Sequence, residues 1–208
     1  MEALPLFHHM KTHAYIAELL GTFLLAFLVR LSLTSNFPVP TPIVAGLTLG
    51  LIVYVLGPVS GAHVNPAVTL GLAAIRKISW NDAGIYIVMQ LIGGLLAMYV
   101  ANALTRNPLS LNASTSIELG VAEAIGAAIL VLGVSSVVYG KTPKDASGLT
   151  IGTALTLGAL AASSVSNGIV NPAVALGIGS LSIPYVVGPL LGGVVAAFGY
   201  RALIGKEG

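Results

Sequence analysis

The sequence predicts an all-α integral membrane protein of six transmembrane helices and two re-entrant half-helices, arranged as an inverted repeat. Three observations carry this. The 208 residues are 56% hydrophobic and only 8% charged, with a mean hydropathy of +0.95, which leaves too few polar side chains to cover a soluble chain of this length. The heptapeptide NPAVTLG at 65–71 returns as NPAVALG at 171–177. Finally, Ala17, Glu18 and Gly21 recur as Ala122, Glu123 and Gly126, at almost the same offset as the heptapeptides.

The first apolar stretch, about 14–33, follows Lys11 and runs a full bilayer width without a small-residue cleavage site, so it reads as a span and not as a signal peptide. The second is about 43–57, behind a Ser-, Thr- and Pro-rich loop at 34–42. A short piece at about 65–75 follows, then spans at about 82–104 and 116–139. A polar link at 141–148 separates the halves; the remaining spans are about 148–165 and 183–204, with a second short piece at about 171–179 between them. Ten apolar residues cannot cross ~30 Å of hydrocarbon at ~1.5 Å per residue, so both short pieces are half-spans. Backbone that is not in a full span at membrane depth must be buried in protein or line an aqueous cavity, and a conduit follows. Paired glycines such as Gly46 and Gly50, or Gly188 and Gly192, suit close helix crossings.

Each half holds three spans and one half-span. Because three is odd, the second half enters from the opposite face, and the two half-helices meet head to head near the midplane. The chain thus reads as one membrane channel domain, 1–208, with pseudo-repeats at about 14–104 and 116–204. With the N-terminus inside, Lys11, Arg76, Lys77, Lys141, Lys144, Arg201 and Lys206 are cytoplasmic, against Arg30 and Arg106 outside. The positive-inside rule therefore places both termini in the cytoplasm of a multi-pass protein of the cell membrane.

The two Asn-Pro-Ala triplets, Asn65, Pro66, Ala67 and Asn171, Pro172, Ala173, are helix starts: asparagine caps, and proline fits a first turn that needs no N–H. Each capping side chain also has an NH₂ donor to offer a passing water or hydroxyl oxygen. Two half-helix N-termini, each worth about half a positive charge, would repel a cation ~5 Å away by about 3 kcal/mol at an effective dielectric of ~20. That is roughly two decades of exclusion, so dehydration in a narrow bore must supply the rest of the barrier.

The block SGAHVNPAVTLG at 60–71, the second triplet, AELLGT at 17–22, AEAIG at 122–126, Gln90 and YVVGPLLGG at 185–193 together resemble the aquaporin and glycerol-facilitator family. The resemblance covers about 14–204. It implies a homotetramer in the lipid bilayer, each protomer with its own pore for water or small neutral solutes. It also exposes a departure. The family carries arginine after the second triplet as one side of a selectivity filter; the matching residue here is Val174, and the other filter positions fall on Ala45, Ala159 and Gly168. A family-like backbone with these four side chains gives a wide, apolar opening suited to glycerol, urea or ammonia as well as water, unless neighbouring aromatics or a shifted loop refill it. A strict water channel is the alternative.

The other polar residues read as scaffold. Glu18 and Glu123 sit within spans, where an ionisable group suggests function by default; their matched placement suits acceptors for the unwound loops, and proton or ion coupling is the competing reading. His63 packs its loop near the cytoplasmic vestibule, with a pH gate as the alternative. Gln90 bonds the first re-entrant loop. His8, His9 and His13 crowd the N-terminal tail, and Asn112, Ala113, Ser114 form a short glycosylation match. Nine scattered Lys and Arg make no basic run, so nucleic acid is not a partner. There is no cysteine, no cofactor motif, and no nucleophile-and-base pair or metal cluster along the conduit, so neither enzyme nor metal site is expected. A secondary transporter shares inverted repeats and broken helices, and a non-conducting scaffold shares the fold.

Overall fold

The computed structural model describes residues 5–34, 37–106, 108, 109, 111 and 115–205, with side chains from Lys11 onward except Thr34. The described chain forms eight α-helices and a short 3₁₀ turn at Lys144–Ala146. In order they are α1 Pro5–Thr34, α2 Thr41–Ser60, α3 Pro66–Ala74, α4 Trp80–Thr105, α5 Ile117–Val138, α6 Ser147–Ala162, α7 Pro172–Gly177 and α8 Ile183–Leu203. The sequon at Asn112 and the side chains of His8 and His9 lie outside the described residues.

Local chemistry explains the boundaries. Ser79 and Ser116 cap α4 and α5, each hydroxyl accepting the backbone N–H three residues on. Gly61 ends α2 in the left-handed region at φ 88°. The half-helices begin at Pro66 and Pro172, each behind a capping asparagine.

Five of the long helices are long and apolar enough to cross a membrane. The sixth, α6, differs from the span read at 148–165: its 16 residues cover only ~24 Å. Its helix stops at Ala162 because the chain turns at 163–166 to begin the second re-entrant loop.

The packing pairs obey a two-fold logic. Helix α1 packs on α4 as α5 packs on α8; α3 packs on α8 as α4 packs on α7; α2 packs on α6. Each half-helix is thus held by the last span of the opposite half. Two close approaches make this work. A methyl on Gly94 of α4 would collide with the Ala173 carbonyl of α7, and one on Gly193 of α8 would collide with the Ala67 carbonyl of α3. Large apolar side chains such as Leu47, Ile117, Leu149, Ile183 and Val195 point outward, as suits the flanks of a bundle that spans a bilayer.

The first turns of α1 and the end of α8 share one face of the bundle with Arg76, Lys77 and Tyr139: Lys11 reaches Asp82, Tyr200 stacks on Tyr139, and Lys77 Nζ lies 3.9 Å from the Tyr139 ring centre. The opposite, far face carries the starts of α2 and α5 and the end of α7.

Candidate functional site

The site begins with two unwound segments, 61–65 and 167–171, that dip between the spans. Their conformations match residue by residue. Ala62 and Val64 have φ of 51° and 40°; Gly168 and Val170, each 106 residues on, have 63° and 49°. A valine with positive φ is strained by its branched side chain against its own carbonyl, so the surroundings must enforce it. The enforcement comes from two carboxylates.

Glu18 of α1 is fully buried. Its Oε1 accepts from the His63 N–H at 2.9 Å and the Ser60 hydroxyl at 2.7 Å. Its Oε2 accepts from the Val64 N–H at 2.7 Å and Gln90 Nε2 at 2.8 Å. Glu123 of α5, equally buried, repeats this: Oε1 takes the Ser166 hydroxyl at 2.6 Å and the Ile169 N–H at 3.0 Å, and Oε2 takes the Val170 N–H at 2.6 Å. The alternating left-handed residues aim two consecutive N–H groups at one carboxylate, as in an anion-binding nest. In each case the carboxylate oxygens accept and their partners donate.

Gln90 also donates to Thr69 Oγ1 at 2.9 Å and so ties α4 to α3; it does not bond the first re-entrant loop itself, as expected from the sequence, but meets it through Glu18. The His63 ring packs edge-on against Tyr86, with centroids 5.2 Å apart, and its Nδ1 lies 3.2 Å from Thr69 Oγ1. The Tyr86 hydroxyl closes the group by donating to the Ser60 carbonyl at 2.8 Å.

With the loops pinned, the asparagines face one another. Asn65 Oδ1 accepts from the Ala67 N–H at 2.8 Å; Asn171 Oδ1 accepts from Ala173 at 3.0 Å and Val174 at 3.3 Å. Their amides then cross: Asn65 Nδ2 donates to the Val170 carbonyl and Asn171 Nδ2 to the Val64 carbonyl, both at 3.0 Å. One N–H of each NH₂ is engaged in this way, and each amide has a second to offer.

From Asn171 a cavity of about 240 Å³ opens to the far face. Ala45, Ala159, Gly168 and Val174 all line it, together with Leu25, Val29, Leu155 and Ile178. Thr41, Ser163 and Asn167 supply its polar edge. No aromatic, histidine or arginine stands among these lining residues, all of them described. Gly168 has no room for a side chain, since a methyl there would collide with Ser163 Oγ.

Sequence reasoning missed several participants. Ser60 and Ser166 were findable, since both stand five residues before an asparagine of the repeat. The Val64 and Val170 carbonyls, Gly94 and Gly193 carried no signal of their own. Arg30, which enters the sequence reading only as a charge on the outer side, is buried, with 1% of its surface exposed.

Two opposed, cross-bonded half-helices in the core of a helical bundle with exposed apolar flanks define a polytopic membrane protein built around a paired half-helix centre. The chain belongs to the major intrinsic protein family, whose model matches residues 6–200. It is 31% identical to Aquaporin Z of Rhodopseudomonas palustris, over 93% of this chain and 94% of the relative. It is 34% identical to Aquaporin-8 of Mus musculus, over 92% and 82% respectively, and 30% identical to Glycerol uptake facilitator protein-like 6 of Lactiplantibacillus plantarum, over 91% and 97%. Its fold is that of the aquaglyceroporin from Plasmodium falciparum, with a TM-score of 0.75 at 23% identity, covering 94% of this chain and 97% of that one.

Proposed function

We propose that the protein is a passive channel for water and small neutral solutes of the glycerol, urea or ammonia class. Relatives named as aquaporins and as a glycerol facilitator point to this range of permeants. The observation that carries the wider permeant range is the set of four small or apolar side chains, Ala45, Ala159, Gly168 and Val174, around one cavity that ends on Asn171. A filter of this kind has no fixed donor to demand a hydrogen-bonding partner and no bulky side chain to exclude a carbon skeleton. The polar edge of Thr41, Ser163 and Asn167 offers hydroxyl-bearing solutes a replacement for part of their hydration.

Glu18 and Glu123 favour diffusion over coupled transport. Both carboxylates are occupied by loop donors and held away from the cavity, so neither is available to carry a proton across. The working form on this reading is a homotetramer in the cell membrane, with both termini cytoplasmic and the cavity at Val174 opening outward.

Stopped-flow light scattering on proteoliposomes tests the proposal. Water, glycerol, urea and ammonia should all cross faster than through protein-free vesicles. Water alone crossing faster would make it a strict water channel, and no enhancement of any flux would make it a non-conducting scaffold. With no cysteine in the chain, mercuric ion should leave the flux unchanged.

A further inference from the structure

The position after the second Asn-Pro-Ala triplet holds no cation, yet a cation stands directly behind the half-helix that this triplet opens. Arg30 lies on α1 one residue beyond Val29, which lines the cavity. Its guanidinium is turned the other way, toward α7. Nη1 donates to the Gly177 carbonyl at 3.1 Å, and Nη2 donates to Asn102 Oδ1 of α4 and to the Leu109 carbonyl at 3.4 Å. One helical turn earlier, Ala26 sits against Gly177 itself, so α1 presents a small residue and then the arginine to the end of α7.

Gly177 is the last residue of α7. The carbonyls at a helix end are the negative pole of that helix, and on α7 this pole faces the far side, beside a cavity that an incoming cation must enter. Left alone, it would attract cations to the vestibule and offset the positive pole at Asn171. Arg30 occupies it with a full positive charge. A guanidinium is also suited to burial here, because it stays charged and its planar fork serves several carbonyl acceptors at once.

We propose that Arg30 is a specificity-determining residue of the channel: from behind α7 it supplies the fixed positive charge against cations that Val174 does not supply from within the bore. This rests on the channel reading above. Six helical residues separate Asn171 from the Arg30 contact, which puts the charge on the order of 10 Å from the midplane. At an effective dielectric of ~20, a unit charge at that distance changes cation passage by roughly tenfold.

The test is potassium leak relative to water flux, measured on the full chain in the same proteoliposomes. Arg30→Gln, which keeps donors and loses the charge, should raise the ratio about tenfold. Arg30→Lys, which keeps the charge and loses the fork, should stay near wild type. Asn102→Asp sets a carboxylate against Arg30 with the guanidinium still in place, and should reproduce the leak of Arg30→Gln; it decides the matter if the glutamine variant does not fold. Adding Val174→Arg to Arg30→Gln should restore exclusion. A ratio unchanged in both Arg30→Gln and Asn102→Asp, or raised equally in Arg30→Gln and Arg30→Lys, overturns the assignment. A wild-type protein that passes neither water nor any neutral solute overturns the channel reading instead, so the two failures are told apart.

Discussion

Asn65 Nδ2 lies 3.0 Å from the carbonyl oxygen of Val170, the residue that immediately precedes the other capping asparagine. The reciprocal bond, from Asn171 to Val64, has the same length. Each asparagine therefore starts its own half-helix with its oxygen and braces the opposite one with its nitrogen. A single residue type serves both ends because a carboxamide holds an acceptor and a donor on one planar group. Each triplet is thereby tied to the backbone just ahead of the other.

Asn171→Asp separates the two roles. The aspartate retains an oxygen for the Ala173 and Val174 N–H groups and loses the donor to Val64, leaving a buried carbonyl opposed by a second acceptor. An unsatisfied buried group of this kind costs about 1–3 kcal/mol. Thermal unfolding in detergent should place this variant clearly below wild type, and below a surface Asn→Asp control. A melting curve that overlays wild type would show that the cross-bond does not hold the half-helices together.

Glutamine in place of Glu18 or Glu123 keeps one acceptor oxygen and can put an NH₂ where the Val64 or Val170 N–H points. The left-handed backbone at Val64 or Val170 then loses the bond that holds it. Each variant should lose about 1–3 kcal/mol of stability, and Glu18→Gln should also disturb Gln90, which donates to the same oxygen as Val64. In the wild-type protein, imposing a pH gradient across the vesicle should leave solute flux unchanged. Uphill accumulation driven by that gradient would assign the glutamates to proton coupling.

The lock between spans and half-helices can be broken at either of two glycines. Gly94→Ala and Gly193→Ala each force a methyl against a backbone carbonyl, Ala173 in one case and Ala67 in the other. Backbone cannot rotate away as a side chain can, so the half-helix must shift, at about 1–3 kcal/mol for an overpacked contact. Both variants should melt earlier and conduct less water, whereas Gly84→Ala, with open space around the added methyl, should match wild type on both measures.

Periodicity and length were enough to place the spans and the two half-helices, because a bilayer sets a minimum helix length and short apolar pieces violate it visibly. Even there α6 ended early, since the sequence stays apolar through Ala162 and gives way to Ser163 and Ser164 without a strong breaker. The duplicated triplets marked the centre of the site, and the repeat alone suggested that Glu18 and Glu123 share a role. What stayed hidden depends on contact across the repeat. The acceptors for the asparagine amides are backbone carbonyls, which every residue has, and Gly94 looks no different in sequence from Gly84. The setting of Arg30 stayed hidden for a related reason: its partner at the half-helix terminus is a backbone carbonyl.

Val174 offers the most direct test of the conduit. Its side chain lines the cavity with Ala45, Ala159 and Gly168, none of which is large enough to narrow it. An arginine at this position adds several heavy atoms and a set of fixed donors to one wall. Bulk excludes the larger permeant first, because water can pass an opening that a three-carbon polyol cannot, and the donors can replace part of water's hydration while they hold it. Val174→Arg should therefore cut glycerol flux by on the order of tenfold or more, which corresponds to a barrier increase of about 1.4 kcal/mol, and water flux by far less. Val174→Leu, which adds bulk without charge, should reduce both with a weaker bias toward the solute. Stopped-flow rates for water and glycerol on the same vesicles give the ratio directly. Equal slowing of the two permeants by Val174→Arg would mean that selection occurs elsewhere along the path, at the asparagine pair or on the side of His63.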